Sequence, residues 1–490
     1  MRNEIRVLRR GRRVAVAGAQ ARMTLLDWLR LEQRAAGTKE GCAEGDCGAC
    51  TVVLARLKDG RIVHEPVNSC ILLVGQCDGA EVITVEDLSE RGGALHPVQD
   101  AMWRHHGSQC GFCTPGIVMS LYALQHGCAR PVTRSAVCDQ LAGNLCRCTG
   151  YRPIIDAALE ACALPAVERP SATTHSALAA LGDDTDIFVG DDNAFFAAPR
   201  TEASLADLLA RFPDATILAG ATDAGLWFTK ALIEPRRIGW LGRVRGLDAV
   251  ERRDGQLIIG ATATLADAAT NLGSLAPDLA EVIRRFGSVQ VRASATVGGN
   301  IANGSPIGDL APCLIALGAT LELGSAQGAR TLPLEDFFIA YKKQDRRPGE
   351  YVRRILVAVP KATTQFRAYK LSKRMDEDIS AVLGAFAFVL DGRRIVSARL
   401  AFGGMAGTPT RARKTEALVA GIDLDDHASW KPAVDALRQE FTPLSDHRAS
   451  AQYRRIAAAN LLAKALAELA GAPLAHTRIG PAVEARDAAE

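Results

Sequence analysis

The sequence predicts a multidomain α+β protein of 490 residues. Eight cysteines stand in two groups of four between Cys42 and Cys148. Short apolar runs around the first group predict strands. Around the second group the apolar residues recur with the spacing of one helix face, which predicts helices. After a stretch of small and polar residues, strand and helix signals mix again among many glycine turns. A chain of this length is expected to form three or four domains.

The first predicted domain, residues 1–84, combines short strands with one helix. Strands are predicted at residues 14–17, 51–57 and 81–85. A helix is predicted to begin after Thr24, with the apolar side chains from Leu25 to Leu31 on one buried face. This alternation is the pattern of a small β-grasp ferredoxin.

The second predicted domain, residues 85–163, is helical. Glycine and proline residues separate helix signals at 98–105, 115–126, 133–142 and 153–162. Thr114 and Pro115 have the residue types of an N-cap and a first helical residue. The positive end of that helix would point towards the second cysteine group, which lies at helix ends.

The first cysteine group has the C-x4-C-x2-C...C spacing of a plant-type [2Fe-2S] ferredoxin. Glycines at positions 41, 45 and 48 adjoin the first three cysteines, where a side chain would hold backbone N–H groups away from a negatively charged cluster. The predicted iron ligands of this first quartet are Cys42, Cys47, Cys50 and Cys70.

The second cysteine group, in QCGFCTPG and NLCRCTGYRP, predicts a second cluster and therefore electron transfer. Structural zinc is an alternative for paired cysteines, although a C-x-C pair is tighter than the usual zinc knuckle. Disulfides are a further alternative, but no export signal accompanies them. The predicted ligands of this second quartet are Cys110, Cys113, Cys146 and Cys148.

Composition agrees with a soluble cytoplasmic enzyme. A formal net charge of +3 argues against nucleic-acid binding, and no apolar stretch reaches transmembrane length. The hydrophobic fraction of 48% is enough to bury several cores. The other five cysteines are predicted to be ordinary buried thiols: Cys77, Cys128, Cys138, Cys162 and Cys313.

The rest of the chain divides into a linker at residues 164–190, an α+β domain at 191–362, a second α+β domain at 363–470 and a frayed tail at 471–490. Two glycine loops, at residues 217–226 and 295–312, permit close approach of backbone N–H groups to a pyrophosphate. No G-x-G-x-x-G follows a predicted strand, which disfavours a Rossmann dinucleotide site.

The order of these segments resembles the molybdenum hydroxylases, most closely the small subunits of the bacterial xanthine dehydrogenases, over about residues 1–470. The motifs that carry the resemblance are GCAEGDCGACTV, GSQCGFCTPG, NLCRCTGYRPI, TVGGNIANGSPIGDLAP and KLSKRMDEDIS. The resemblance implies that residues 191–362 bind FAD with a fold of the vanillyl-alcohol-oxidase or CO-dehydrogenase flavoprotein type. It implies a C-terminal domain of the CO-dehydrogenase flavoprotein type at 363–470.

The resemblance also implies which residues bind the flavin and influence NAD access. Phe286 would lie near the isoalloxazine, Lys370 would contact the flavin, and the charged segment 373–378 would lie beside it. The alternative for that segment is a solvated charge run. Gln109 would reach towards a partner's molybdopterin. The residues implied for cofactor binding are Leu218, Ala219, Gly220, Ala221, Thr222, Asp223, Ala224, Gly225, Leu226, Phe286, Thr296, Gly299, Asn300, Asp309, Lys370, Glu377 and Asp378.

Through this resemblance the chain is expected to be an electron-transfer subunit of xanthine dehydrogenase. Electrons from a molybdopterin cofactor on a large partner subunit would pass through two [2Fe-2S] clusters to FAD and then NAD, in an α2β2 heterotetramer. No residues of this chain are predicted to act in acid–base or nucleophilic catalysis. The alternatives are a related hydroxylase acting on nicotinate, aldehydes or aromatic acyl-CoA, a stand-alone iron–sulfur flavoprotein reductase, and a non-redox module with structural zinc.

Overall fold

A computed structural model describes residues 1–89, 92–127, 129–167 and 175–478. Within these ranges no helix is both long and apolar enough to cross a membrane. The domain boundaries stay predictions.

The N-terminal domain is built on a five-stranded sheet. Its elements are β1 (Ile5–Arg9), β2 (Arg12–Val16), α1 (Leu25–Asp27), β3 (Thr51–Lys58), β4 (Arg61–Asn68) and β5 (Glu81–Ile83). The strand order is β2-β1-β5-β3-β4, with β1 and β5 parallel and the other neighbours antiparallel. The three strands predicted here are confirmed as β2, β3 and β5.

The helix after Thr24 is confirmed, and the Thr24 hydroxyl accepts a hydrogen bond from the backbone N–H of Asp27 at 3.1 Å. However, the helix changes after one turn to a π-helical turn, Trp28–Glu32. The wider turn rotates later residues away from the core, and Leu31 is 68% exposed. The prediction that Leu31 shares the buried face is therefore wrong.

The four helices predicted in the second domain are confirmed within one or two residues at each end. They are α2 (Pro97–Arg104), α3 (Thr114–Gly127), α4 (Arg134–Leu141) and α5 (Arg152–Ala163). Helix α3 begins at Thr114 itself, one residue before the predicted start. Both halves of the second cysteine quartet lie just before helix starts, because Cys113 precedes α3 and Cys148 precedes α5.

The predicted linker contains regular structure. Residues 168–174 lie outside the described residues, but α6 (His175–Ala179) follows them and β6 (Ile187–Asp191) pairs with β7 (Ala194–Ala198). The prediction of an irregular segment is wrong over these residues. Strand β6 buries Ile187 and Val189 in a core that it shares with the N-terminal domain, and it pairs with β7.

The region after β7 forms two lobes. The first lobe adds α7 (Glu202–Arg211), β8 (Thr216–Leu218), α8 (Gly225–Thr229) and β9 (Arg237–Trp240), in a sheet of order β6-β7-β9-β8. The second lobe contains β10 (Val250–Arg253), β11 (Gln256–Gly260), α9 (Leu265–Gly273), α10 (Pro277–Arg284), α11 (Val289–Ser294), α12 (Val297–Asn303), α13 (Leu310–Ala316), β12 (Thr320–Ser325), β13 (Gly328–Pro333), β14 (Phe338–Ala340), β15 (Lys343–Gln344) and β16 (Tyr351–Ala358). Its main sheet has the order β10-β11-β16-β12-β13, and β14 pairs with β15.

The last domain packs helices on a four-stranded antiparallel sheet of order β17-β18-β19-β20. Its elements are β17 (Thr364–Leu371), β18 (Val382–Asp391), β19 (Arg394–Gly403), β20 (Thr410–Arg411), α14 (Arg413–Val419), α15 (Lys431–Glu440), α16 (Ala451–Ala470) and α17 (Leu474–Thr477).

The prediction of a frayed tail is wrong for residues 471–478, which include α17. Arg478 forms ion pairs with Asp278 of α10 and Glu468 of α16, both at 2.6 Å, which hold this segment against the two helices. Residues 479–490 lie outside the described residues.

Strand β3 explains how the first three domains hold together. Successive side chains of a strand point to opposite faces of the sheet. Val52 and Leu54 belong to a core shared with the first of the two lobes, which contains β6 to β9. Val53 and Ala55 belong to a core shared with the helical domain. Burial on both faces accounts for the continuous apolar run of this strand.

The cysteines outside the quartets are buried as predicted at Cys77, Cys162 and Cys313. Cys138 is exposed, so the prediction is wrong there. Its helix α4 turns Val137 and Leu141, which are four residues apart, towards the core, and this leaves Cys138 facing outwards. Cys128 lies outside the described residues.

Candidate iron–sulfur and flavin site

The four thiols of the first quartet lie together at the end of the N-terminal sheet. The sulfur atoms of Cys50 and Cys70 are 3.3 Å apart. The backbone N–H groups of Glu44 and Cys47 donate to the Cys42 sulfur at 3.4 and 3.3 Å. Hydrogen bonds from the thiols of Cys47 and Cys70 hold the pKa of Cys42 well below its usual range. Such donors favour a thiolate, which is the form that ligates iron.

Gly48, one of the glycines beside the first quartet, packs closely on the helical domain. Gly48 has φ +66°, and a Cβ atom there would lie 2.0 Å from the carbonyl oxygen of Gly143. Any side chain at position 48 would therefore separate the first cysteine loop from the helical domain.

The second quartet forms two close pairs. Cys110 and Cys148 are hydrogen-bonded, which raises the pKa of Cys148, and both are exposed. Burial raises the pKa of Cys113 to about 12, and its thiol is also hydrogen-bonded to that of Cys146. The backbone N–H of Cys146 donates to the Tyr151 hydroxyl at 2.8 Å. Half of this quartet thus faces solvent.

The chemistry of these donors fits [2Fe-2S] clusters. Each quartet gathers four thiols, and N–H groups point at sulfur in the first. No group of three or more His, Cys, Asp or Glu side chains among the described residues is arranged to hold a single metal ion. The eight ligand assignments remain predictions.

The two cysteine quartets are joined by a backbone hydrogen bond. The N–H of Leu145 donates to the carbonyl oxygen of Cys47 at 3.0 Å, and Leu145 is bonded directly to Cys146. The predicted ligands Cys47 and Cys146 are therefore connected through one hydrogen bond and one intervening residue. Sequence reasoning did not predict this contact, since the two loops are about 100 residues apart.

The two glycine loops implied for FAD lie against each other. Residues 219–224 connect β8 to α8, and Ala221 has φ +62°. A Cβ atom on Gly220 would lie 2.0 Å from the Ser294 carbonyl oxygen, just before the second loop. A Cβ on Gly299 would lie 3.7 Å from that of Ala219, so the loops form one surface.

The N-terminus of α12 lies on this surface. The Thr296 hydroxyl caps α12 by accepting from the N–H of Gly299 at 3.0 Å, and Asn300 is partly exposed beside it. Helix N-termini and closely approaching backbone suit pyrophosphate groups. This geometry fits FAD, and the residue assignments stay predictions.

Lys370 and Asp309 form a buried ion pair at the other end of the implied flavin site. Lys370 Nζ lies 2.7 Å from Asp309 Oδ2, and these side chains are only 4% and 5% exposed. Lys370 also donates to the carbonyl oxygen of Arg285 at 3.3 Å, next to the implied ring contact Phe286. The Ser380 hydroxyl donates to Asp309 Oδ1 at 2.6 Å. Ser380 was not identified from the sequence.

The charged segment 373–378 is neither wholly solvated nor wholly directed at the flavin region. Lys373 and Arg374 are exposed, and their backbone N–H groups donate to Asp378 at 2.8 and 2.9 Å. Arg374 lies 3.8 Å from Asp46 in the first cysteine loop. The segment therefore bridges the first quartet and the flavin region, where Arg285 donates to the Met375 carbonyl oxygen at 3.0 Å.

Glu377 turns inwards from this segment. Its backbone has φ +49°, and its Oε2 is buried without a hydrogen-bond partner among the described residues. Burial raises the pKa of Glu377 to about 8, against a smaller lowering from a hydrogen bond to Ser288. Gln109, in contrast, is exposed beside Cys110.

Replacing Glu377 with glutamine should change how stability depends on pH. The pKa of Glu377 is about 8 in the folded protein and 4.5 in the unfolded chain. Its contribution to the free energy of unfolding is therefore fully present below pH 4.5 and is lost as the pH rises towards about 8. Glu377→Gln removes this loss, so the variant should be more stable than wild type at pH 8 by on the order of 2–4 kcal/mol and nearly equal at pH 5. Thermal unfolding at both pH values measures the effect. A stability difference that is the same at both pH values would contradict the assigned burial.

Three families of domain match this chain. The "FAD binding domain in molybdopterin dehydrogenase" matches residues 192–361, the "[2Fe-2S] binding domain" matches 84–159, and the "CO dehydrogenase flavoprotein C-terminal domain" matches 367–469. The described fold is therefore that of iron–sulfur and FAD-binding domains.

Among curated proteins, the chain is similar to xanthine dehydrogenases. It is 31% identical to that of Drosophila pseudoobscura pseudoobscura over 521 residues, covering 93% of this chain and 38% of the relative. It is 30% identical to xanthine dehydrogenase 1 of Arabidopsis thaliana over 474 residues, covering 82% and 35%. The chain spans little more than a third of the length of these relatives.

Among solved structures, the chain is similar to reconstituted CO dehydrogenase from Oligotropha carboxidovorans, with a TM-score of 0.53 and 26% identity. That match covers 56% of this chain and 97% of the solved chain. The fold also matches quinoline 2-oxidoreductase from Pseudomonas putida 86, with a TM-score of 0.51 and 24% identity, over 56% of this chain and 95% of that one.

Proposed function

Since this chain belongs to the molybdenum hydroxylase family, in which it carries the iron–sulfur and FAD domains, we propose that it is the electron-transfer component of a xanthine dehydrogenase. In this role the chain would hold two [2Fe-2S] clusters and FAD, which would carry electrons from a molybdenum cofactor on a partner subunit to NAD. The observation that carries the proposal is the hydrogen bond between the Leu145 N–H and the Cys47 carbonyl oxygen, which joins the two cysteine quartets.

The clusters supply one-electron steps and FAD supplies the exchange between single electrons and hydride. The chain itself would hold these groups at fixed separations. The eight quartet cysteines would hold the clusters, and the two glycine loops with Asp309 and Lys370 would hold FAD.

The exposure of the two quartets supports the order of transfer. Cys110 and Cys148 of the second quartet are exposed, whereas Cys50 and Cys70 of the first quartet are buried. The first quartet also contacts the flavin domain, because the Thr229 hydroxyl donates to the Ala43 carbonyl oxygen at 2.6 Å. The second cluster would therefore receive electrons from the partner, and the first would pass them to FAD.

The exposed pair Cys110 and Cys148 is the surface that a molybdopterin subunit would cover. We propose an α2β2 heterotetramer in the cytoplasm. Hypoxanthine and xanthine are the proposed substrates because the curated relatives at about 30% identity are named xanthine dehydrogenases.

The isolated chain is expected to oxidise NADH with an artificial electron acceptor and not to oxidise xanthine. FAD and both clusters would be bound by this chain, whereas the hydroxylation chemistry belongs to molybdenum on the partner. Steady-state assays with ferricyanide as acceptor measure the first activity, and urate formation measures the second. Adding the copurified large subunit should restore urate formation.

Xanthine turnover by the pure chain would contradict the division of labour between subunits. Absence of NADH oxidation, despite bound FAD, would contradict the proposed acceptor but not the electron-transfer role.

A further inference from the structure

The side-chain amide of Gln290 lies where three domains meet. Gln290 and Ser120 are fully buried, and Thr51 and Asn144 are each 1% exposed. The Nε2 of Gln290 lies 2.8 Å from Asn144 Oδ1, 3.1 Å from Ser120 Oγ and 3.2 Å from Thr51 Oγ1. Thr51 belongs to the N-terminal domain and the other two acceptors belong to the helical domain. One amide group from the flavin region therefore engages both iron–sulfur domains.

The acceptors of Gln290 are directly connected to both cysteine quartets. Thr51 follows Cys50 in the chain, and Asn144 precedes Cys146 by two residues. Asn144 Nδ2 also donates to the Gly48 carbonyl oxygen at 3.1 Å, next to the bond between the Leu145 N–H and the Cys47 oxygen. A shift of Asn144 would therefore alter the contact between the two cysteine loops.

The segment that carries Gln290 also leads to the flavin region. Ser288 caps α11 by accepting from the Val291 N–H at 3.1 Å. Arg292 Nη1 donates to the carbonyl oxygens of Arg284, Phe286 and Gly287 at 2.9, 3.2 and 2.9 Å. These bonds make residues 284–292 one rigid unit, since the guanidinium holds three carbonyl groups of the preceding turn. The position of Gln290 is thus tied to that of Phe286.

We propose that Gln290 is a positioning residue that fixes the two cluster loops relative to each other and to the flavin. This inference rests on the proposed electron-transfer function. The Gln290 amide would maintain the separation between the first cluster and FAD on which the rate of electron transfer depends. The hydrogen bonds are fully desolvated, so their loss is not compensated by water and the junction must rearrange.

Gln290→Met tests the proposal, with Gln140→Met as the matched control. Gln140 is also buried, and its Nε2 donates to the backbone carbonyl of Ser120 at 2.9 Å, but both residues lie within the helical domain. Each variant removes a buried amide donor next to the same residue. Only the Gln290 variant breaks a contact between domains.

Three measurements on the purified chain with its cofactors separate positioning from simple destabilisation. Gln290→Met should alter the magnetic interaction between the two reduced clusters in EPR spectra and slow flavin reduction after deazaflavin photoreduction of the clusters by roughly tenfold. It should also speed hydrogen exchange of the Leu145 amide. Gln140→Met should lower thermal stability to a similar extent but leave the EPR interaction and the rate at wild-type values.

The proposal is overturned if Gln290→Met retains the wild-type EPR interaction and rate, or if both variants change them equally. If Gln290→Met does not fold, Gln290→Asn keeps a buried amide but withdraws it from its partners, and the same two outcomes decide. Failure of the underlying function would look different, because the wild-type chain would then lack two cluster signals or bound flavin.

Discussion

The substitution Cys148→Ser is expected to abolish one of two distinguishable [2Fe-2S] EPR signals while leaving the other signal and bound FAD in place. A serine hydroxyl is a much poorer iron ligand than a thiolate, and the sequence assigns Cys148 to the second quartet. The second quartet lies just before the starts of α3 and α5 in the helical domain, whereas the first quartet lies at the end of the N-terminal sheet. Iron content should fall by about half, since each cluster contains two irons.

Cys138→Ser is the matched control. Cys138 is also exposed and lies in the same helical domain, on α4 and outside the quartet. This substitution should leave iron content and both EPR signals unchanged. Loss of FAD with both signals intact in Cys148→Ser would contradict the ligand assignment, and so would loss of a signal in the control.

The cysteine quartets could be predicted from the sequence because their information is mostly local. Three ligands of the first quartet lie within nine residues, and the second quartet consists of two close pairs. Helix starts could be predicted for the same reason, since caps such as Thr24 act on backbone groups three residues away. The predicted strand at 51–57 was clear because burial on both faces makes β3 continuously apolar.

The contacts that assemble the site could not be predicted in this way. The partners of Gln290 lie 146 to 239 residues away, and a glutamine has no spacing that distinguishes a buried bridge from a surface residue. Strand β6 was missed because its short apolar run at 187–189 follows a long stretch of small, polar and acidic residues and was included in the predicted linker. The inward direction of the Glu377 side chain could not be predicted, because its charged neighbours indicate a solvated segment and the positive φ that turns it inwards has no signal in the sequence.

Lys370→Met is expected to destabilise the chain by about 3–5 kcal/mol and to lower its FAD content. The substitution leaves the Asp309 carboxylate, whose side chain is 5% exposed, without its ion-pair partner at 2.7 Å. The remaining hydrogen bond from Ser380 cannot compensate for a buried charge. Denaturant unfolding measures the stability, and flavin absorbance after gel filtration measures the bound FAD.

Two further variants distinguish a buried ion pair from general sensitivity of the chain to lysine replacement. Lys431→Met removes a pair with Asp435 in which the side chains are 81% and 42% exposed, so it should cost less than about 1 kcal/mol.

The double substitution Lys370→Met with Asp309→Asn removes both charges and should recover most of the lost stability, because replacing a buried pair by neutral groups is far less costly than breaking it. If the double variant recovered its stability but not FAD, the pair would contact the flavin as predicted. If the single variant were as stable as wild type, Asp309 would have to be solvated or otherwise paired, contrary to its burial in the structure.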